Sequence, residues 1–132
     1  MREIRVRTER RSQLLDITRD VIAAVEGSEG AAVLVYVPHT TAGVTINEHA
    51  DPDVARDHEM ALERMVEEGW AWKHEEPHEQ NAPAHVRASL MGPSVVVPRR
   101  GDGSLALGTW QGIFLCEFDG PRERSVYVSV LR

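Results

Sequence analysis

The chain has 132 residues, a length at which one hydrophobic core is expected. Its 42% hydrophobic and 27% charged residues belong to an ordinary globular protein and exclude a disordered or fibrous one. The net charge of -6, with no basic block to follow a phosphate backbone, argues against nucleic acid and for a small molecule as partner.

Cys116 is the one cysteine, so no internal disulfide forms and no oxidising compartment is required. Met1 to Leu15 holds five arginines and no continuous apolar segment, the pattern of neither a signal peptide nor a membrane span. The cytoplasm is the expected location. Between Glu48 and Glu79, eleven acidic residues face three basic ones; the stretch reads either as a solvated face or as an oxygen-rich approach to a cation.

Taken in chain order, alternation around Ile4 and Val6 predicts a first strand. Asp16 is placed to cap a helix carrying Ile17, Val21, Ile22 and Val25, ended by Gly27 and Gly30. Ala31 to Val37 is a continuous apolar run, the signature of a central strand buried on both faces, and a strand around Gly43 to Asn47 follows a tight Thr40-Thr41 connection. Asp51 and Pro52 open a helix running to about Glu68 with Val54, Leu62, Met65 and Val66 inward. The polar segment Trp70 to Asn81 reads as a loop, and a short helix capped by Asn81 ends at Gly92. Beyond Pro93 the pattern predicts strands at Val95 to Pro98, Leu105 to Leu107, Ile113 to Phe118 and Ser125 to Leu131, forming an antiparallel meander. One α+β domain over residues 1-132 follows, an antiparallel sheet or sandwich flanked by helices.

The chemistry gathers on histidines. His39 stands at a strand end beside Thr40 and Thr41, either as a site residue or as a hydrogen-bonded structural one. His74, His78 and His85 lie within twelve residues, in no zinc-finger or H-E-x-x-H spacing, and Pro77 keeps His74 and His78 off one helix face. A catalytic zinc needs three protein ligands and an open position, and His39 with two of this cluster would supply nitrogens. His49 and His58 read as solvent-facing. If the strand ending at Asn47-Glu48 pairs with the one before it, both residues lie near the His39 pocket, with Glu48 as ligand, base or orienting group. Gln111 beside Trp110 offers an amide and a stacking face, although a tryptophan there also serves as core. Arg87, Arg99, Arg100, Arg122 and Arg124 are candidates for anion recognition or simple surface charges.

The strings H-T-T-A-G-V-T-I-N-E from His39, D-P-D-V from Asp51, H-V-R-A-S-L-M-G from His85, L-G-T-W-Q-G-I from Leu107 and C-E-F-D-G-P-R from Cys116 resemble the YjbQ family across nearly the whole chain. The resemblance implies a homotrimeric α+β protein with a β-sandwich-like core and a pocket near the subunit interface that commonly holds a metal or an anion. The family's histidine pattern falls on His39, His74 and His85, implying a divalent metal site, with zinc the expected ion. The activity attached to the family is thiamine-phosphate synthase, which joins a pyrimidine diphosphate to a thiazole phosphate with loss of diphosphate.

The sequence-level expectation is therefore a small-molecule enzyme with a His39-His74-His85 metal site and Glu48 with Asn47 as the catalytic pair. Thr40, Thr41, Ser89, Trp110 and Gln111 would contact substrate, and Arg87 or Arg122 its phosphate. The alternatives are a metal-dependent hydrolase of a small phosphorylated substrate and a non-catalytic trimer that binds a metal or an anion.

Overall fold

In the computed structural model, residues 1–76 and 80–132 are described; Pro77, His78 and Glu79 lie outside that description. The elements are β1 (Arg2–Arg7), β2 (Gln13–Asp16), α1 (Thr18–Val25), β3 (Ala32–Tyr36), β4 (Ala42–Glu48), α2 (Pro52–Met65), α3 (Ala82–Met91), β5 (Ser94–Pro98), β6 (Gln111–Glu117) and β7 (Glu123–Leu131). They build two antiparallel sheets, ordered β1-β7-β3-β5 and β2-β6-β4.

Side-chain alternation sets the layers. From the first sheet Val33, Val35, Val97, Val126 and Val128 meet Val44, Ile113 and Leu115 of the second, with Ile17, Val21 and Val25 of the α1 region joining the same cluster. The opposite face of the second sheet presents Leu14, Phe114, Cys116 and Phe118 to Leu62 of α2 and to Ala84 and Ala88 of α3. Sheet, sheet and helix pair thus stack as three layers, the expected α+β class with a sandwich-like core. No helix among the described residues is long and apolar enough to cross a membrane.

Several local expectations change. β3 is central, but only Val33 and Val35 are fully buried while Tyr36 is exposed, because α1 and the second sheet cover one face only. The C-terminal strands form no meander: β5 and β7 flank β3 in one sheet and β6 lies in the other. Leu105 makes a single bridge to Arg99 rather than a strand. The short β2 carries only the Leu14-Leu15 pair as an apolar signal, too little to announce itself. Its backbone is held to α2 by buried Glu59, which accepts from Leu14 N at 2.8 Å and from both terminal nitrogens of Arg10 at 2.8 and 3.0 Å. Met65, expected inward, is exposed at the end of α2, whereas Leu62 and Val66 are buried.

Cys116 sits inside the second cluster, and burial pushes its thiol up to about 12. Since the thiolate is the reactive form, native protein is expected to resist iodoacetamide at pH 8, with alkylation read by intact mass appearing only on adding denaturant. Rapid labelling of native protein would contradict this burial.

Candidate functional site

β4 has seven residues and spans about 20 Å at roughly 3.3 Å per residue. His39 precedes its start and Glu48 ends it. β4 pairs with β6, not with β3, through Ala42↔Glu117 to Glu48↔Gln111. The pairing that would have brought Asn47 and Glu48 to the His39 pocket is absent, and within one chain the predicted catalytic pair stands at the opposite end of the fold. Glu48 instead shares that far end with Gln111, exposed Trp110, and His49, whose Nδ1 lies 2.9 Å from Asp16 Oδ2. Gln111 Oε1 accepts from Gly108 N at 2.8 Å, closing the turn that presents Trp110.

At the near end, α3 lies directly on β4. A Cβ on Gly43 would meet Gly92 O at 2.7 Å, Met91 Cβ at 3.0 Å and Ala88 O at 3.2 Å, so glycine permits an approach that any other residue would widen. This contact brings His85 and Ser89 of α3 to His39, and the four residues His39, Thr40, His85 and Ser89, with Ala42, Ala88 and Pro93, line a hollow of about 370 Å³. His39 Nε2 accepts from Ser125 N at 2.9 Å. Burial, then the positive charges of Arg124 and Arg122, hold the His39 imidazole below its ordinary value.

Beneath the hollow lies a buried ion pair between the sheets. Arg124 Nε donates to Glu117 Oε1 at 2.8 Å, its Nη2 also reaches the Glu117 carboxylate, and Nη2 donates to Thr41 Oγ1 at 2.8 Å. Glu117 accepts further from Thr8 Oγ1 at 2.8 Å and from Phe118 N and Asp119 N at 3.1 and 3.0 Å. Burial pushes this carboxyl up, but Arg124, Asp119 N–H and Thr8 together hold it below the usual carboxylate range. Thr41 therefore belongs to the interior network rather than to substrate; only Thr40 of the pair is exposed. A charge inside the apolar run Ile113 to Phe118 was the one sequence signal for Glu117.

His74 is oriented by a chain of polar groups. Asn81 Nδ2 donates to Asp119 Oδ2 at 2.9 Å, so its Oδ1 faces His74 Nε2 at 2.9 Å as an acceptor. Arg122 Nη2 holds the same Asp119 oxygen at 2.8 Å. Asn81, expected as a helix cap, makes no side-chain cap, because its amide is spent on this chain. The His74 and His85 rings stand edge to face with centroids 5.3 Å apart. His85 is thus shared between the His39 hollow and a second one of about 600 Å³ with Trp72 and His74 in its wall.

Arg87, a candidate, and His58, expected to face solvent, are placed elsewhere. Arg87 is fully buried and donates to Val66 O at 2.5 Å, with Glu68 Oε1 at 3.4 Å; it ties off the carbonyl end of α2 and is not available to a phosphate. His58 Nδ1 is bound to Val54 O of its own helix at 2.8 Å.

The donor chemistry was tested against a metal ion. A metal-bound histidine donates its second ring N–H to a fixed acceptor, and His74, with Nε2 on Asn81 and Nδ1 left bare, has that form. No group of three or more His, Cys, Asp or Glu among the described residues stands close enough to hold one ion. A His39-His74-His85 ion site does not fit a single chain in this arrangement.

Comparison with known proteins agrees with the resemblance carried by the motifs. A family model described as UPF0047 protein YjbQ-like matches residues 2–132. The UPF0047 protein YugU of Bacillus subtilis is 44% identical, covering 99% of this chain and 98% of the relative, and UPF0047 protein MJ1081 of Methanocaldococcus jannaschii is 46% identical over 96% and 90%. A crystal structure of an uncharacterized conserved protein of the yjbq/upf0047 family from Clostridium acetobutylicum superposes with a TM-score of 0.92 at 44% identity, covering 99% of this chain and all of that one. The YbjQ-like protein SSO2532 of Sulfolobus solfataricus gives 0.90 at 39% identity, over 98% and 94%. The chain belongs to the YjbQ/UPF0047 family.

Proposed function

We propose that the protein is a small-molecule enzyme acting on a phosphorylated substrate, with each active site built from two copies of the chain in a homotrimer. The carrying observation is the separation along β4: the hollow of His39, Thr40, His85 and Ser89 is at one end, and Glu48 with Asn47, Trp110 and Gln111 is at the other. A head-to-tail interface joins unlike ends of neighbouring copies and closes into a ring, which would set Glu48 of one copy beside His39 of the next.

In this reading the hollow takes the anionic part of the substrate, because imidazoles and hydroxyls line it and its lining residues include no carboxylate. Ser89 and Thr40 hydroxyls hold its oxygens, and the Trp110 face with Asn47 and Gln111 positions the remainder. Glu48, half-buried at the end of β4, moves the proton and would be fully desolvated only when the copies meet. Transfer to a thiazole phosphate with loss of diphosphate and hydrolysis of a phosphate ester are both reactions of this class. These residues supply the anion's partners and a base for either acceptor.

The test mixes two inactive variants. His39→Phe and Glu48→Gln proteins, each assayed with the pyrimidine diphosphate plus thiazole phosphate and with p-nitrophenyl phosphate, are expected to lose turnover in both cases. After co-refolding at equal concentration, about a quarter of the sites in a random ring receive both native halves, and activity should return in that proportion. Wild-type protein that turns over neither substrate, or a mixture that stays inactive although trimeric, would overturn the proposal.

A further inference from the structure

We infer that His39 is not a metal ligand but a fixed N–H donor, its proton held on Nδ1 and offered to an oxyanion in the hollow it shares with Thr40 and Ser89. The inference deepens the reading above by naming what the hollow binds and through which atom, and it rests on that reading only for the identity of the substrate.

β3 and β7 pair through Tyr36↔Tyr127, and continuing that register by two residues brings Pro38 opposite Ser125. β3 has ended by then, at Tyr36, so the Ser125 N–H has lost its strand partner. A half-buried backbone N–H needs an acceptor, and the side chain of His39, one residue past Pro38, supplies it through Nε2 at 2.9 Å. The imidazole substitutes for a missing rung of the ladder.

That contact decides the protonation of the ring. An N–H points at Nε2, so Nε2 carries a lone pair and no proton. Neutral imidazole has one donor and one acceptor nitrogen, which leaves the proton on Nδ1. A metal ligand has the reverse requirement: one bare nitrogen for the ion and an N–H on the other for a fixed acceptor. With Nε2 occupied by a donor, coordination through Nδ1 would demand an imidazolate, and coordination through Nε2 would evict Ser125. His74, whose Nε2 is turned to the oxygen of Asn81, has the opposite polarity in the same fold, so the two rings are not equivalent members of one ligand set.

The surroundings match a donor. Among the described residues Nδ1 of His39 has no protein partner, and the hollow adds the exposed hydroxyls of Thr40 and Ser89. Arg124 is paired with Glu117 and Arg122 with Asp119, so donors rather than a free charge define the hollow, and its lining residues include no carboxylate for a cation. Hydroxyls and an N–H converging there select a phosphoryl, sulfate or carboxylate oxygen.

Long-range proton–nitrogen correlation spectra of 15N-histidine protein, with His39 assigned by its loss in His39→Asn, read the tautomer directly. The expected spectrum at neutral pH shows Nδ1 protonated and Nε2 bare; equimolar zinc chloride leaves both signals in place, whereas inorganic phosphate shifts Nδ1 saturably. His39→Asn, whose amide N–H stands near the Nδ1 position, should keep phosphate binding within about tenfold, and His39→Phe should lose it. An Nε2-protonated ring, a zinc-induced coordination shift at His39, or a phosphate titration that leaves Nδ1 unmoved would each overturn the inference. The tautomer is read on the wild-type protein before any turnover, so its failure is distinct from failure of the mixed trimer.

Discussion

Arg124→Met is expected to cost about 3–5 kcal/mol of stability, the range found when one partner of a buried ion pair is removed and the other is left uncompensated. Arg124 and Glu117 are both buried, and the arginine makes the only charged contact to that carboxylate among the described residues. Urea unfolding followed by circular dichroism measures the loss. A drop below 1 kcal/mol would mean that water reaches the pair. The double variant Arg124→Met with Glu117→Met should recover only part of the loss: Phe118 N and Thr8 Oγ1 keep Thr41 O and Arg122 O as acceptors, but Asp119 N, which bonds to the carboxylate at 3.0 Å, is left unmet by an apolar side chain.

The pH dependence separates wild type from variant. In the native protein the Glu117 carboxyl is held below its ordinary 4.5, so its contribution is present above that value and is lost as pH falls through the depressed native value. Without Arg124, the bonds from Asp119 N–H and Thr8 still lower the native value against burial, so the depression is smaller. His39, also held low, adds stability above its ordinary 6.5 that fades as pH falls toward its native value. Stability of the wild type should therefore decline on acidification in two steps, and the lower step should shrink in Arg124→Met.

The second large effect is expected at Gly43. Valine there drives its Cβ into Gly92 O and Ala88 O, carbonyls at the end of α3 that cannot turn aside as a flexible side chain would. Overpacking of this kind costs about 1–3 kcal/mol, but the functional loss should be larger. Moving α3 off β4 carries His85 and Ser89 away from His39, and a displacement near 1 Å costs on the order of a hundredfold in rates that depend on placed groups. Turnover and phosphate binding should thus fall much further than the urea midpoint. Gly69→Ala is the control, since nothing lies within 4 Å of a Cβ there, and it should stay within about 0.5 kcal/mol of wild type. Equal losses in stability and binding for Gly43→Val would show that α3 does not position the site.

Much of the fold could be read from the chain. The strand at Val95 to Pro98, the helix opened by Asp51 and Pro52, whose Asp51 carboxylate does accept from Asp53 N at 2.9 Å, and the glycine ends of α1 and α3 are local patterns, and local sterics fix them. Asp16, expected as the cap of α1, stands one residue outside it: the cap position is Ile17, without a side-chain cap bond, and Asp16 accepts from Thr18 N at 2.9 Å. Arg87 shows where such reading stops: an arginine among apolar helix residues looks like a surface charge until the open carbonyl end of α2 is seen against it.

What the sequence determined by itself was the family, the α+β class, and the identity of the chemically capable residues, because these follow from residue type and from periodicity along one segment. What only the tertiary structure decided was which of them meet. Strand pairing depends on long-range partners that an alternating pattern does not name, so β3 and β4 were separable into different sheets only in the folded chain. That one choice sends His39 and Glu48 to opposite ends of β4, and leaves Ser125 N–H without a strand to pair with, so that it sets the proton on His39.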